Sequence, residues 1–244
     1  MKKVILIFLM IVIACITACR SAPEDTPENG ASSIMLMRSK NEFDYEIENS
    51  SVKITKYLNN DLNVIIPEQI SGKPVKTIGK EAFYQNNDTV SITLPQSLTT
   101  IENASFYRCY SLTEIVIPKN VNQIGSNPFF RCSSLTKISV ESDNAFYSEI
   151  NGVLFNKDKT ELIAYPEGNT SKNYTIPDSV KTIAADAFGY HCSYLKKLTI
   201  FSNVVKFPNY NIFIYPDDIT LIVESGSAAE RYAKKYELKF EIVE

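Results

Sequence analysis

IGKEAF at Ile78–Phe83, IENASF at Ile101–Phe106, IGSNPF at Ile124–Phe129 and IAADAF at Ile183–Phe188 are one phrase written four times. The isoleucines stand 23 residues apart across the first three copies and 59 apart at the last step. Each copy leads into a strand-like segment: VSITLP ending at Pro95, TEIVIP at Pro118, TKISVE at Glu141 and KKLTIF at Phe201. A fixed period in the twenties marks a solenoid, in which one supersecondary unit stacks on the next. Such a fold presents long faces for binding and rarely encloses a catalytic pocket.

Within one unit, Ile101, Ala104 and Phe106 are apolar at short irregular spacing, which predicts a tight turn followed by a brief helical or 3₁₀ segment. Leu112, Ile115 and Ile117 follow. Alternation with Glu114 and Val116 puts the two isoleucines inside and their neighbours outside. Pro118 stops the strand, because it fixes φ and has no N–H to donate. Stacked units then form one parallel sheet with strands about 4.8 Å apart, over continuous ladders of Ile and Phe. Seven strands are predicted, centred near Ile65, Thr93, Val116, Ser139, Thr175, Thr199 and Leu221.

The step from Ser139 to Thr175 is longer than a regular one. There Gly152–Phe155 and Leu162–Tyr165 flank a polar Asn156–Glu161, a hairpin insertion (about 150–168) expected to project from the solenoid's side. Both ends need covers, since an open end exposes apolar surface and a strand edge. Phe43–Ile47 and Val52–Tyr57 predict a hairpin cap over residues 41–60. Residues 225–244 predict a helix with Ser227 as N-cap and Glu230 completing a capping box, then a strand from Lys239 to Val243. The predicted class is an α/β repeat solenoid from residue 41 to the end.

The unit resembles the BspA-type leucine-rich repeats of bacterial surface proteins, the group named after Treponema pallidum repeats. Their pattern, roughly IP-x-x-V-x-x-IG-x-x-AF-x-x-C-x-x-L-x-x-I-x-IP, is matched by Ile117, Pro118, Val121, Ile124, Gly125, Phe129, Cys132, Leu135 and Ile138. VKITKYLNNDLNVIIPEQISGKPVKTIG (52–79), GVLFNKDKTELIAYPEG (152–168) and SGSAAERYAKKYELKF (225–240) are also similar to segments of that family. Ser105 and Pro128 replace the alanine, Glu102 and Ala184 the glycine, and Asn86 the cysteine. The resemblance implies a right-handed leucine-rich repeat solenoid, surface display, and adhesion or protein binding, in some members to host matrix proteins. It supplies no transferable set of binding residues.

Lys2 and Lys3 precede the apolar run Val4–Ile13. That run is short of the roughly 20 residues needed to cross a bilayer core of about 30 Å, and it predicts a signal peptide over residues 1–18. Ile16-Thr17-Ala18-Cys19 resembles the lipobox of bacterial lipoproteins, which implies cleavage before Cys19 and its acylation. The alternative is an ordinary secretory signal cut after Ala18. Residues 19–40, poor in apolar groups apart from Ile34–Met37, predict a flexible tether. The expected location is the cell envelope, at the outer membrane or cell surface, with the membrane met only through lipid.

A net charge of −3 with scattered Lys and Arg argues against nucleic acid. The single histidine, His191, has no nucleophile elbow or zinc motif beside it and reads as a loop residue. Asp217 and Asp218 are adjacent, so they diverge rather than converge as a hydrolase pair. No catalytic residue, metal site or cofactor is expected, and the chain reads as non-enzymatic. Cys109 and Cys132 lie in register on neighbouring units and, with Cys192, read as buried thiols; a Cys109–Cys132 bridge is the alternative.

Two exposed surfaces are candidates for a partner, either a protein (host extracellular matrix included) or a glycan. The outward strand positions Ser91, Thr93, Glu114, Val116, Lys137, Ser139, Lys197 and Thr199 form a polar face of mixed charge. The competing reading is a solvated sheet face chosen for β-propensity. The second is an aromatic stripe at Tyr84, Tyr107 and Phe130, whose rings can take a ligand or pack on one another. The functional expectation is a binding or adhesion module; the alternative is a structural envelope component contacting other lipoproteins.

Overall fold

The computed structural model describes residues 37–39, 42–213 and 218–243; the expected signal peptide, Cys19 and all of the expected tether except residues 37–39 lie outside them. The chain begins with β1 (Met37–Ser39), β2 (Phe43–Glu48) and β3 (Ser51–Tyr57), which pair antiparallel. The hairpin of β2 and β3 is the predicted front cap. β1 is an addition to it, placed inside the segment read as tether. Strand pairing there satisfies the backbone of β2, a need that side-chain composition does not reveal.

Next come β4 (Asn63–Ile65), β5 (Gln69–Ile70) and β6 (Lys73–Ile78), followed by two regular rungs holding β7 (Ser91–Thr93), β8 (Thr100–Ile101), β9 (Glu114–Ile117) and β10 (Gln123–Ile124). The irregular rung carries β11 (Lys137–Val140), β12 (Tyr147–Ile150), β13 (Val153–Asn156) and β14 (Glu161–Ala164). The last rungs carry β15 (Asn173–Thr175), β16 (Thr182–Ile183), β17 (Lys197–Ile200) and β18 (Thr220–Glu224), then α1 (Ala228–Lys235) and β19 (Phe240–Val243).

Each regular rung uses two strands. One parallel ladder runs β4–β7–β9–β11, with Asn63, Ser91, Glu114 and Lys137 side by side. A second runs β3–β6–β8–β10. The repeat solenoid is the predicted one, but its rungs are built differently from expectation. The segments after each isoleucine are successive tight turns, and α1 is the one α-helix among the described residues. Glu81, Gln85, Ala104, Arg108, Asn127 and Arg131 all have φ between 54° and 63°. A left-handed residue at every fourth position interrupts a right-handed helix. The backbone groups so freed bond to the next rung instead. Phe83 N–H donates to Ser105 O at 2.8 Å, Phe106 N–H to Pro128 O at 2.9 Å and Arg108 N–H to Phe130 O at 3.0 Å.

Beneath the ladders the repeat phenylalanines stack. Phe43, Tyr57, Phe83, Phe106 and Phe129 follow one another with ring centroids 5.2–5.6 Å apart. Cys109 and Cys132 are buried and unbridged, each thiol donating to a carbonyl of the rung before: Phe83 O at 3.1 Å and Phe106 O at 3.0 Å.

The insertion corrects two expectations. It is the meander β12–β13–β14, and its strands do not project. Val153, Leu154 and Phe155 are each no more than 1% exposed. Leu154 packs into the core containing Phe106 and Leu135, whereas Val153 and Phe155 pack into the core containing Phe188 and Leu198. β13 therefore partitions two cores. Three contiguous apolar residues are what a strand covered on both faces requires.

The meander also divides the single sheet that was predicted. Ile138 N–H donates to Gly152 O at 2.9 Å, so the turn between β12 and β13 claims an edge group of β11. The first ladder stops there and resumes as β15–β17–β18–β19; the second resumes as β14–β16. Tyr165 restores the repeat, with its N–H donating to Ala187 O and its ring stacked on Phe188 at 5.4 Å.

At the closing end Ser227 is the N-cap of α1, with a capping arrangement one residue out of the expected register. Ser227 Oγ accepts from Glu230 N–H at 3.0 Å, while Glu230 reaches back to the N–H of Gly226, one residue before the N-cap. β19 then pairs parallel with β18.

Candidate functional site

Period-two alternation keeps Ile92, Ile115 and Ile138 inside and turns their neighbours outward. Thr93, Glu114, Val116 and Lys137 are exposed; Ser91 and Ser139 are half-buried. Ser91, Glu114 and Lys137 form the predicted row, Val116 lies beside Ser139, and Thr93 lies beside Ile65. Ser91 Oγ donates to Asn63 Oδ1 at 2.6 Å. Lys197 and Thr199 are not brought to this row. They belong to the resumed ladder, beside Asn173 and Thr175, and Lys197 pairs with Glu241 at 3.0 Å. The β4 edge of the face is apolar, with Ile65 74% exposed and Leu62 63%; Val116, two strands away on β9, is 48% exposed. Leu62 escapes sequence reasoning because it precedes the strand and belongs to no repeat phrase.

The aromatic stripe stacks along the turns. Centroids are 5.4 Å apart for Tyr84 and Tyr107 and 5.6 Å for Tyr107 and Phe130, and Tyr190 meets Phe130 edge-on at 6.1 Å. Arginines cover these rings. The Arg108 guanidinium lies 5.1 Å from the Tyr107 centroid and 5.8 Å from that of Tyr84, and Arg131 lies 3.6 Å from Tyr190. Stacking and cation–π contact occupy the stripe with itself. The signal was present in sequence, since Tyr107-Arg108 and Phe130-Arg131 recur one period apart.

Where the stripe would next continue stands Gly189, with φ +59°; a Cβ there would lie 2.2 Å from Glu167 Oε1. Glu167 is buried and joins the two sides of the irregular rung. Its Oε1 accepts from Arg131 N–H at 2.6 Å and from Tyr190 N–H at 2.7 Å, standing in for a carbonyl of a regular rung. Burial pushes its carboxyl above the ordinary glutamate range, against the pull of those N–H groups and the Arg131 charge.

Ser193, His191 and Asp218 bring together the residue types of a nucleophilic triad. Ser193 Oγ is 2.9 Å from His191 Nδ1, and Asp218 Oδ2 is 3.5 Å from Nε2. They sit at the surface beside a cavity of about 10 Å³ near Phe188 and Phe213, room for roughly one water and not for a substrate. Asp217 lies outside the described residues. Among the described residues no three His, Cys, Asp or Glu side chains converge as a metal site, and no helix is long and apolar enough to cross a membrane.

Residues 53–172 and 164–220 match the family described as BspA type leucine rich repeat region, in six copies. The chain belongs to the BspA-type leucine-rich repeat family. Its fold is similar to that of a leucine rich cell surface protein from Faecalibacterium prausnitzii A2-165, at 21% identity over 72% of this chain and 73% of that one, with a TM-score of 0.45. It is also similar to a leucine-rich repeat protein from Eubacterium ventriosum (23% identity, 75% of this chain and 66% of that one, TM-score 0.41). The T. pallidum leucine rich repeat protein is a third (20% identity, 86% and 99%, TM-score 0.40). No curated protein matches.

The structure accounts for two of this chain's departures from the BspA-type pattern. Asn86, at the cysteine position, donates its Nδ2 to Asn59 O at 2.9 Å, the role the thiols play on later rungs. Ser105, at the alanine position, turns its hydroxyl back onto Glu102 O at 2.6 Å and so is buried without loss.

Proposed function

We propose that this BspA-type solenoid is a non-enzymatic binding module of the cell envelope, held by lipid at Cys19 and meeting a protein partner on the face of its first ladder. One observation carries the reading. Glu114 and Lys137 stand in register on β9 and β11, with Val116 exposed on β9, while Ile65 and Leu62 are exposed at the β4 edge of the same face. A face that carries both exposed apolar side chains and charges has the make-up of a docking surface. Strand positions free of core contacts also change at little structural cost.

The test is a pull-down with the mature chain against host matrix proteins and an extract of its own envelope, followed by titration of whatever is retained. Exchanging the charges with Glu114→Lys and Lys137→Glu, together with Ile65→Asp, is expected to weaken that partner by about tenfold or more. An unchanged affinity removes the strand face from the reading. Retention of envelope proteins alone favours the alternative, a structural envelope component.

A further inference from the structure

The second ladder opens at the insertion. β10 bonds to β8 on one side only, and the next strand of that ladder, β14, belongs to the meander. On earlier rungs the equivalent carbonyls are taken: Ile78 O accepts from Glu102 N–H at 2.9 Å, and Ile101 O from Gly125 N–H at 2.8 Å. No described residue donates to Ile124 O. The opening is a groove of about 540 Å³, within the range of ligand sites.

The lining has a distinctive chemistry. Ile124 and Ile163 are apolar and half-buried, and Asn103 and Asn122 present exposed amides. Asn103 Oδ1 already accepts from Ser126 N–H at 2.9 Å, which leaves its NH₂ as a donor. Glu161 is the one charged residue of the lining. Phe146 stands at the groove with half its surface in water, yet its backbone is fixed. Its N–H donates to the buried Asn144 Oδ1 at 2.8 Å and its carbonyl accepts from Lys157 N–H at 2.8 Å. A half-exposed ring on a backbone held on both sides is placed to serve as a platform.

We propose that this groove binds a neutral oligosaccharide. Hydroxyl groups both donate and accept, which suits the NH₂ of Asn103, the amide of Asn122 and the open Ile124 carbonyl together. The apolar C–H face of a sugar ring suits Phe146. An anionic ligand would find no cation in the lining. An added peptide strand would find the edge of β10 crossed by Tyr147, whose hydroxyl already accepts from Ile124 N–H at 2.9 Å. The groove lies on the other ladder from Glu114 and Lys137, so the inference does not rest on the strand-face reading.

The mature chain is screened on an array of neutral cello-, chito-, malto-, xylo- and manno-oligosaccharides beside sialylated and sulfated glycans, and binders are titrated by calorimetry. At least one neutral oligosaccharide is expected to bind, with Phe146→Ala and Asn122→Ala each weakening it by about tenfold or more. Phe146→Tyr is expected to keep it, and the Glu114→Lys, Lys137→Glu pair to leave it unchanged. Circular dichroism of each variant confirms that the fold is kept. No neutral binder, selective binding of the charged glycans, or affinity indifferent to both groove variants overturns the proposal. Capture of extended peptides, lost with Phe146→Ala, overturns it too, in favour of strand addition.

Discussion

Phe106 lies wholly out of water between Phe83 at 5.3 Å and Phe129 at 5.6 Å, so its removal empties a slot that both neighbours line. Phe106→Ala is expected to cost about 3–5 kcal/mol, seen as a fall in melting temperature of roughly 10 °C. A fall of a degree or two contradicts the stacked register. Glu167 makes the opposite kind of contribution. Its carboxyl binds a proton more tightly folded than unfolded, because burial raises it. Stability therefore falls as pH rises from the ordinary value of 4.5 through the raised one. Glu167→Gln keeps an oxygen for Arg131 N–H and Tyr190 N–H but cannot ionise. Across that window the melting temperature of the native chain should drop relative to the variant, and parallel profiles would remove Glu167 from the account. Phe106 could be read from its period alone. Glu167 could not, since its partners become neighbours only once the insertion has folded.

At the scale of elements, β13 is the strand that both cores depend on. Leu154→Ala opens a cavity on one side of the wall with an expected cost of about 2–5 kcal/mol, and hydrogen exchange should accelerate more in β9 than in β17, with Phe155→Ala reversing the order. Loss of protection on the same side in both variants would show that β13 is not a partition. Sequence periodicity finds every strand of the first ladder and both strands of the hairpin. It misplaces the hairpin because alternation reports one covered face, whereas Val153-Leu154-Phe155 has two. The turns read as brief helices for a related reason. Left-handed conformation falls on Glu81, Arg108 and Arg131, where no glycine advertises it.

For the molecule as a whole, the period dictates a solenoid, yet it is silent about partners, because a face without packing duty leaves no rhythm in the sequence. The expected attachment has a direct test: Cys19→Ala, expressed with its own leader, should move the chain from the membrane fraction to the soluble one, and unchanged fractionation would exclude lipid at that position. The rungs from Ile78 to Phe129 also share their turn conformations and cross-rung bonds, so each presents to its neighbour the surface it receives. A recombination event that duplicates or deletes one 23-residue copy there rejoins matching surfaces and preserves both caps. The first ladder can thus lengthen or shorten in steps of about 4.8 Å, while the same event across β13 would leave two cores without their shared wall. Copy-number variation among descendants of this gene should accordingly gather on the N-terminal side of the partition.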